Sequence, residues 1–121
     1  MGSEMCIRDS LKSGDPFVFD RCAEEMLALD DARIDYEIIP GITAALASAA
    51  YAGIPLSYPD YGPSISFLTG HEDVTKESLR VDFAKFADAG GTLCIYMGMS
   101  KIEEIVKSLL RGGMPLSLIH I

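Results

Sequence analysis

Short runs of β-branched and apolar residues alternate with helical patterns along this chain, and the alternation restricts the folds that are open to it. The strand patterns cover residues 36–39, 64–69 and 92–97, and the helical patterns cover residues 24–32, 43–51, 77–87 and 101–110. Strands that alternate with helices form βα units, because the crossover helix returns the chain to the same edge of the sheet. The sequence therefore predicts an α/β fold with mostly parallel sheets and flanking helices.

Two of the helical patterns carry more specific expectations. Residues 43–51 are rich in alanine and uncharged, so we expect a helix that is buried against a sheet, with Thr43 at its N-cap. Residues 101–110 place aliphatic side chains on one stripe, and Gly112 and Gly113 are expected to end that helix.

Three glycine-containing loops are candidates for ligand binding. Ligands of open α/β sheets bind where the carboxyl ends of the strands meet the following loops. Residues 40–44 and 97–100 take this position, as do residues 12–18 if a strand precedes them. Glycine lets a backbone approach a ligand closely, and the three loops could line one cleft.

Each loop also has a simpler interpretation. Ser13-Gly14-Asp15-Pro16 alone has the composition of a surface turn. Thr43 alone is typical of an N-cap, and Met97 alone is typical of a core residue at the end of a strand. Periodicity and composition do not decide between these interpretations and ligand binding.

Composition and charge exclude several classes of protein. The net charge of -8 argues against a nucleic acid or an anionic membrane surface as a partner, and no apolar run approaches the roughly 20 residues of a spanning helix. The cysteines Cys6, Cys22 and Cys94 form no CxxC pair, which disfavours a disulfide framework or a zinc site and favours the cytoplasm. The stretch His71-Glu72-Asp73 lacks distant partners, so no metal site is expected.

The two ends of the chain are related at the level of DNA. Residues 116–121 can be encoded as CTG TCT CTT ATA CAC ATC, and the reverse complement of that string encodes Met5-Cys6-Ile7-Arg8-Asp9 and opens the codon of Ser10. Such an inverted repeat resembles the transposase end of a sequencing-library adaptor. We therefore expect residues 1–10 and 116–121 to be adaptor translation and exclude them from fold reasoning.

Four runs of the remaining sequence resemble the tetrapyrrole methylase family. In order, they are LKSGDPFVF followed by EE, PGITAALASAAYAGIPL, FLTGHED and LCIYMGM. The resemblance implies two α/β domains that hold S-adenosylmethionine in the cleft between them. It also implies C-methylation of the tetrapyrrole uroporphyrinogen III to precorrin-2, on the way to sirohaem and cobalamin.

The resemblance assigns cofactor contacts residue by residue. Gly14 and Asp15 match the family's Gly-Gly-Asp, in which Ser13 replaces the first glycine. The remaining matches are Val18 as an adjacent apolar contact, Thr43 and Ala44 as the Thr-Ala pair after Pro-Gly, and Met97 in the Tyr-Met-Gly run. The Asp15 carboxylate could order the loop or accept hydrogen bonds from the cofactor.

The family pattern also implies domain boundaries and missing parts. Residues 11–57 match the C-terminal half of the first domain, residues 58–63 an interdomain linker rich in proline and glycine, and residues 64–115 the N-terminal half of the second domain. The family's catalytic acid and base lie before Leu11, so no catalytic residue is assigned and the fragment alone is expected to be inactive. The complete enzyme is expected to be a homodimer.

Departures from the family pattern leave alternatives open. Asp20-Arg21-Cys22-Ala23 replaces the usual Gly-Arg-Gly-Gly, and Ser57-Tyr58-Pro59-Asp60 replaces Thr-His-Arg-Asp. The second change removes a basic residue near the domain junction. The exact tetrapyrrole substrate therefore stays open. The alternatives are another precorrin methyltransferase and a non-catalytic α/β interaction module.

Overall fold

The computed structural model describes residues 7–60, 62–70 and 80–118 and divides the chain into two compact units, Met1–Ala47 and Ser48–Ile121. The helices and strands, in chain order, are α1 (Cys22–Asp31), α2 (Ala44–Ala52), β1 (Ile65–Thr69), α3 (Phe83–Ala89), β2 (Thr92–Tyr96) and α4 (Ile102–Arg111). Two short 3-10 helices, Met99–Lys101 and Leu116–Leu118, and an isolated antiparallel bridge between Tyr58 and Gly62 accompany them. None of the described helices is long and apolar enough to cross a membrane.

The second unit contains a parallel pair of strands. β1 and β2 pair in register from Ile65 opposite Thr92 to Thr69 opposite Tyr96, and α3 lies between them in the sequence. The parallel βα arrangement predicted from the alternating patterns is therefore confirmed.

A small apolar core holds this unit together. It consists of Leu68 on β1, Phe83 on α3, and Ile105 and Leu109 on α4. Phe83 and Ile105 are the largest fully buried side chains of the described residues. Burial of such side chains stabilises each by about 1.5–3 kcal/mol relative to an exposed state.

The amphipathic helix α4 follows its predicted pattern closely. Ile105 and Leu109 are buried, whereas Glu103 and Glu104 are exposed in the first turn. Gly112 is the C-cap, and a Cβ there would overlap the carbonyl oxygen of Ala84 on α3. Glycine therefore ends the helix and also permits the close approach of α3 and α4.

Two expectations about secondary structure are wrong. Residues 36–39 form no strand, because a strand requires a neighbour for its backbone groups and none of the described segments pairs with them. Residues 7–12 form no strand either, so the condition stated for the loop over residues 12–18, a preceding strand, is not met within the described residues. The helix predicted over residues 77–87 begins only at Phe83, and residues 77–79 lie outside the described residues.

The alanine-rich helix α2 is not buried against a sheet, contrary to expectation. None of its residues is buried, and Leu46 and Tyr51 are exposed. Uniform apolarity indicates that a helix can be buried, but the burial itself requires a partner surface, which its sequence does not supply.

Asp82 determines where α3 begins. Its side chain accepts a hydrogen bond from the backbone N–H of Lys85 at 3.4 Å. We expect Asp82→Ala to lower the free energy of unfolding by at most about 1 kcal/mol, because the N–H of Lys85 loses its side-chain acceptor and keeps only the backbone carbonyl oxygen of residue 82, at 3.1 Å. Chemical denaturation checks this, with Asp88→Ala near the other end of α3 as the matched control. Equal loss of stability in both variants would contradict the capping role.

Candidate functional site

The loop over residues 12–18 is organised around the carboxylate of Asp15. Oδ1 accepts a hydrogen bond from the backbone N–H of Phe17 at 2.9 Å, and Oδ2 accepts one from the N–H of Gly41 at 3.1 Å. The carbonyl oxygen of Asp15 accepts from the N–H of Val18 at 3.2 Å, which closes the turn. Of the two roles open to this carboxylate, the structure therefore supports the ordering of the loop.

The same contact brings two loops together that are far apart in the sequence. A Cβ on Gly41 would overlap the carbonyl oxygen of Gly14 and would lie 2.9 Å from its carbonyl carbon. A Cβ on Gly14, in contrast, would lie 3.4 Å from the carbonyl oxygen of Ile42, which is an ordinary contact. The two backbones thus touch at Gly41, and only glycine fits there without displacement.

Gly41 is a site residue that the sequence reasoning did not single out. Pro40-Gly41 was interpreted as a turn and as part of the candidate loop over residues 40–44, but no contact between Gly41 and another loop was predicted. Glycine composition alone does not distinguish a turn glycine from one that permits contact between two backbones. The contact with Gly14 makes that distinction here.

Thr43 and Ala44 lie at the start of α2, immediately after this contact. Thr43 is buried, with 5% of its surface exposed, and its carbonyl oxygen accepts from the N–H of Ala47 at 3.1 Å. Ala44 is the first residue of the helix and is exposed. The amino end of a helix favours negatively charged groups through its backbone N–H groups and its dipole.

Ser13 and Val18 lie on either side of the Gly14-Asp15 turn. The N–H of Ser13, which is exposed, donates to Oδ2 of Asp20 at 3.3 Å. Val18 is half-buried. The carboxylate of Asp20 thus supplies an acceptor that closes the loop over residues 13–20.

Charge pairs flank the loop on its α1 side. Nζ of Lys12 lies 3.0 Å from Oε2 of Glu25 and donates to the carbonyl oxygen of Asp20 at 3.4 Å. The hydrogen bond with Glu25 raises the pKa of Lys12, and the hydrogen bond from Lys12 lowers the pKa of Glu25. Both groups are therefore charged at neutral pH.

Met97 belongs to the second unit, where it directly follows β2. Its backbone is in the left-handed region with φ of 53°, which is uncommon for a residue other than glycine, and its side chain is 50% exposed. Beside it, the N–H of Gly70 donates to the carbonyl oxygen of Tyr96 at 2.7 Å. The interpretation of Met97 as a core residue is therefore wrong.

The described residues give no support to metal or thiol chemistry. They contain no group of three or more His, Cys, Asp or Glu side chains arranged to hold a metal ion, and His71-Glu72-Asp73 lies outside them. Cys22 is buried, and burial raises the pKa of the Cys94 thiol. A raised pKa lowers the thiolate fraction, so Cys94 is a poor nucleophile.

Comparison with known proteins adds evidence independent of this geometry. The model of the family of tetrapyrrole (corrin/porphyrin) methylases matches residues 10–120. A uroporphyrinogen-III C-methyltransferase of Synechocystis sp. is 43% identical over 114 residues, which cover 91% of this chain and 43% of that protein. Siroheme synthase 2 of Yersinia enterocolitica is 45% identical over 105 residues, which cover 87% of this chain and 22% of that protein.

Solved structures give the same result. A uroporphyrin-III C-methyl transferase from Thermus thermophilus, complexed with S-adenyl homocysteine, matches with a TM-score of 0.66 and 34% identity over 83% of this chain and 42% of its own. A cobalt precorrin-4 methyltransferase matches with a TM-score of 0.71 and 27% identity over 83% of this chain and 41% of its own. The chain thus spans less than half the length of each of these relatives.

Proposed function

The chain belongs to the tetrapyrrole methylase family, and on this premise we propose that it is part of an S-adenosylmethionine-dependent methyltransferase. The proposed reaction is the C-methylation of uroporphyrinogen III to precorrin-2. The relatives from Synechocystis sp. and Thermus thermophilus, whose names state this class of reaction, support the proposal.

One structural observation carries the proposal. The carboxylate of Asp15 accepts a hydrogen bond from the N–H of Gly41. This bond connects the Gly14-Asp15 turn to the segment that contains Gly41, Thr43 and Ala44. Four of the residues that match the family's cofactor contacts therefore belong to one local assembly in the first unit. Asp15 and Gly41 are 26 residues apart in the sequence, so this contact forms only when the chain is folded.

The donor set of this assembly fits S-adenosylmethionine. Backbone groups around Gly14 and the amino end of α2 suit the carboxylate and the polar groups of the cofactor. The half-buried Val18 offers an apolar contact beside them. We therefore propose Ser13, Gly14, Asp15, Val18, Thr43 and Ala44 as the cofactor site of the first unit, and Met97 as a further contact that rests on the family match and on its exposed, left-handed position.

The chemistry proposed for these residues is binding and orientation. The cofactor, when bound, supplies an electrophilic methyl group on its sulfonium sulfur. The residues of this chain hold and orient it, and in-line geometry of this kind accounts for much of the rate enhancement of a two-reactant transfer. The Asp15 carboxylate already accepts two backbone N–H groups, so we assign it no proton transfer.

The proposed domain organisation rests on the match of the chain to the tetrapyrrole methylase family. We propose that residues 11–57 and 64–115 are halves of two α/β domains joined by residues 58–63, and that residues 1–10 and 116–121 are adaptor translation. The catalytic acid and base then lie before Leu11 in the complete protein. The complete protein is proposed to be a homodimer, and the 121-residue chain alone is expected to be inactive.

Methyl transfer by the protein of the complete reading frame tests the proposal. We expect transfer of two methyl groups from S-adenosylmethionine to uroporphyrinogen III, and no transfer by the 121-residue chain under the same conditions. Methylation of a later precorrin instead would overturn the substrate assignment. Absence of S-adenosylmethionine binding would overturn the assignment as a methyltransferase and favour a non-catalytic module.

A further inference from the structure

The Lys12–Glu25 ion pair differs from three others in the part of the chain that the structure describes. Arg21–Glu24, Asp82–Lys85 and Lys101–Glu104 join residues three apart in the sequence, whereas Lys12–Glu25 links the start of the loop over residues 12–18 to the first turn of α1. The Lys12 side chain is only 13% exposed, although lysine is mostly exposed in folded proteins. A lysine covered to this extent needs a partner for its charge, and Glu25 supplies it at 3.0 Å.

The position of this pair connects it to the turn that contains Gly14 and Asp15. Lys12 also donates to the carbonyl oxygen of Asp20, while the carboxylate of Asp20 accepts from the N–H of Ser13. These hydrogen bonds join residues 12 and 13 to Asp20. The ion pair with Glu25 connects the same part of the chain to α1.

The backbone of residues 19–21, between the loop and α1, adopts a conformation that other contacts must stabilise. Phe19 and Arg21 have φ values of 58° and 53°, in the left-handed region. Residues other than glycine persist there only when surrounding contacts hold them, because the conformation costs on the order of 1–3 kcal/mol each. The contacts of Lys12 with Asp20 and Glu25 lie on both sides of Arg21 in the sequence.

We propose that the Lys12–Glu25 ion pair is a positioning element that holds the Gly14-Asp15 turn in its binding geometry and thereby sets the affinity for S-adenosylmethionine. This inference rests on the proposed function. The side chains of Lys12 and Glu25 act through the loop, and neither is assigned a contact with the cofactor.

Calorimetric titration of the complete protein with S-adenosylhomocysteine tests this role. Glu25→Gln keeps the size of the side chain and removes its charge, and we expect the Kd to rise about fivefold, as for the loss of roughly 1 kcal/mol. The charge-exchanged double variant Lys12→Glu/Glu25→Lys is expected to recover only part of the affinity, because a carboxylate at position 12 cannot donate to the carbonyl oxygen of Asp20. Lys12→Arg, which keeps the charge, is expected to bind within about twofold of the wild type.

Glu24→Gln is the matched control. Glu24 is the neighbour of Glu25 and pairs with Arg21 at 2.8 Å, but both side chains are exposed, at 65% and 81%. We expect its Kd to be unchanged. Equal affinities of the Glu25→Gln, Glu24→Gln and wild-type proteins would overturn the positioning role.

Steady-state kinetics separates positioning from a general loss of structure. We expect Glu25→Gln to raise the KM for S-adenosylmethionine and to leave kcat and the KM for the tetrapyrrole unchanged. A fall in kcat with an unchanged KM for the cofactor would also overturn the inference. A wild-type protein that binds no S-adenosylhomocysteine would instead overturn the proposed function.

Discussion

Gly41→Ala is expected to lower the rate of methyl transfer by the complete protein on the order of 100-fold, the largest effect of any single substitution that we propose. The added Cβ would overlap the carbonyl oxygen of Gly14, and both partners in this contact are backbone atoms. A backbone cannot rotate away as a side chain can, so the two loops must separate by about an ångström. Misplacement of a bound reactant by about 1 Å is enough for a loss of rate of this size.

Gly14→Ala is the matched control for the steric argument. It adds the same methyl group on the other side of the same contact, where its nearest neighbour is 3.4 Å away. We expect the melting temperature of this variant to stay near that of the wild type, and that of Gly41→Ala to fall. A wild-type melting temperature and a wild-type rate of methyl transfer in Gly41→Ala would show that the two loops do not touch in the way described.

Asp15→Ala is expected to raise the Kd for S-adenosylmethionine about 30-fold. The substitution removes both acceptors at once, so Phe17 loses the partner inside the loop and Gly41 loses the partner between the loops. Hydrogen bonds from backbone N–H groups to a carboxylate are stronger than those to neutral acceptors. The segment that precedes Thr43 would then no longer be held against the turn.

Asp15→Asn separates the two bonds of this carboxylate. The amide keeps one acceptor oxygen and replaces the other with an NH₂ group that cannot accept from a backbone N–H. We therefore expect its Kd to lie between those of the wild type and Asp15→Ala. Asp31→Ala, at the exposed end of α1, is the control for loss of a negative charge, and its Kd should not change. An unchanged Kd for S-adenosylmethionine in Asp15→Ala would contradict the role of Asp15 in holding the two loops together.

The parts of the fold that depend on local patterns could be predicted from the sequence. The aliphatic stripe of α4 and the apolar runs of β1 and β2 fix those elements, because their periodicity and composition match the surfaces that they bury. Residues 36–39 have the same strand composition but pair with none of the segments that the structure describes. Whether an apolar segment becomes a strand, or a helix such as α2 is buried, depends on a second surface that local sequence does not encode.

The candidate site likewise has a part that could be predicted from the sequence and a part that could not. The Gly14-Asp15 turn and the Thr43-Ala44 pair were found from the family's motifs, since motifs record residue types at fixed spacing. The bond between Asp15 and Gly41 and the ion pair between Lys12 and Glu25 were not found, because they join residues that are distant in sequence. These contacts define which groups of each motif are available to a ligand, and only the three-dimensional arrangement reveals them.

The central claim is that Asp15 clamps two loops into one cofactor-binding assembly. The most direct test is a crystal structure of the complete protein with S-adenosylhomocysteine. We predict that the ligand contacts Gly14, Thr43 and Ala44 while the carboxylate of Asp15 still accepts the N–H of Gly41. A ligand that contacts none of these three residues, or a carboxylate of Asp15 that leaves Gly41 to bind the ligand, would contradict the claim.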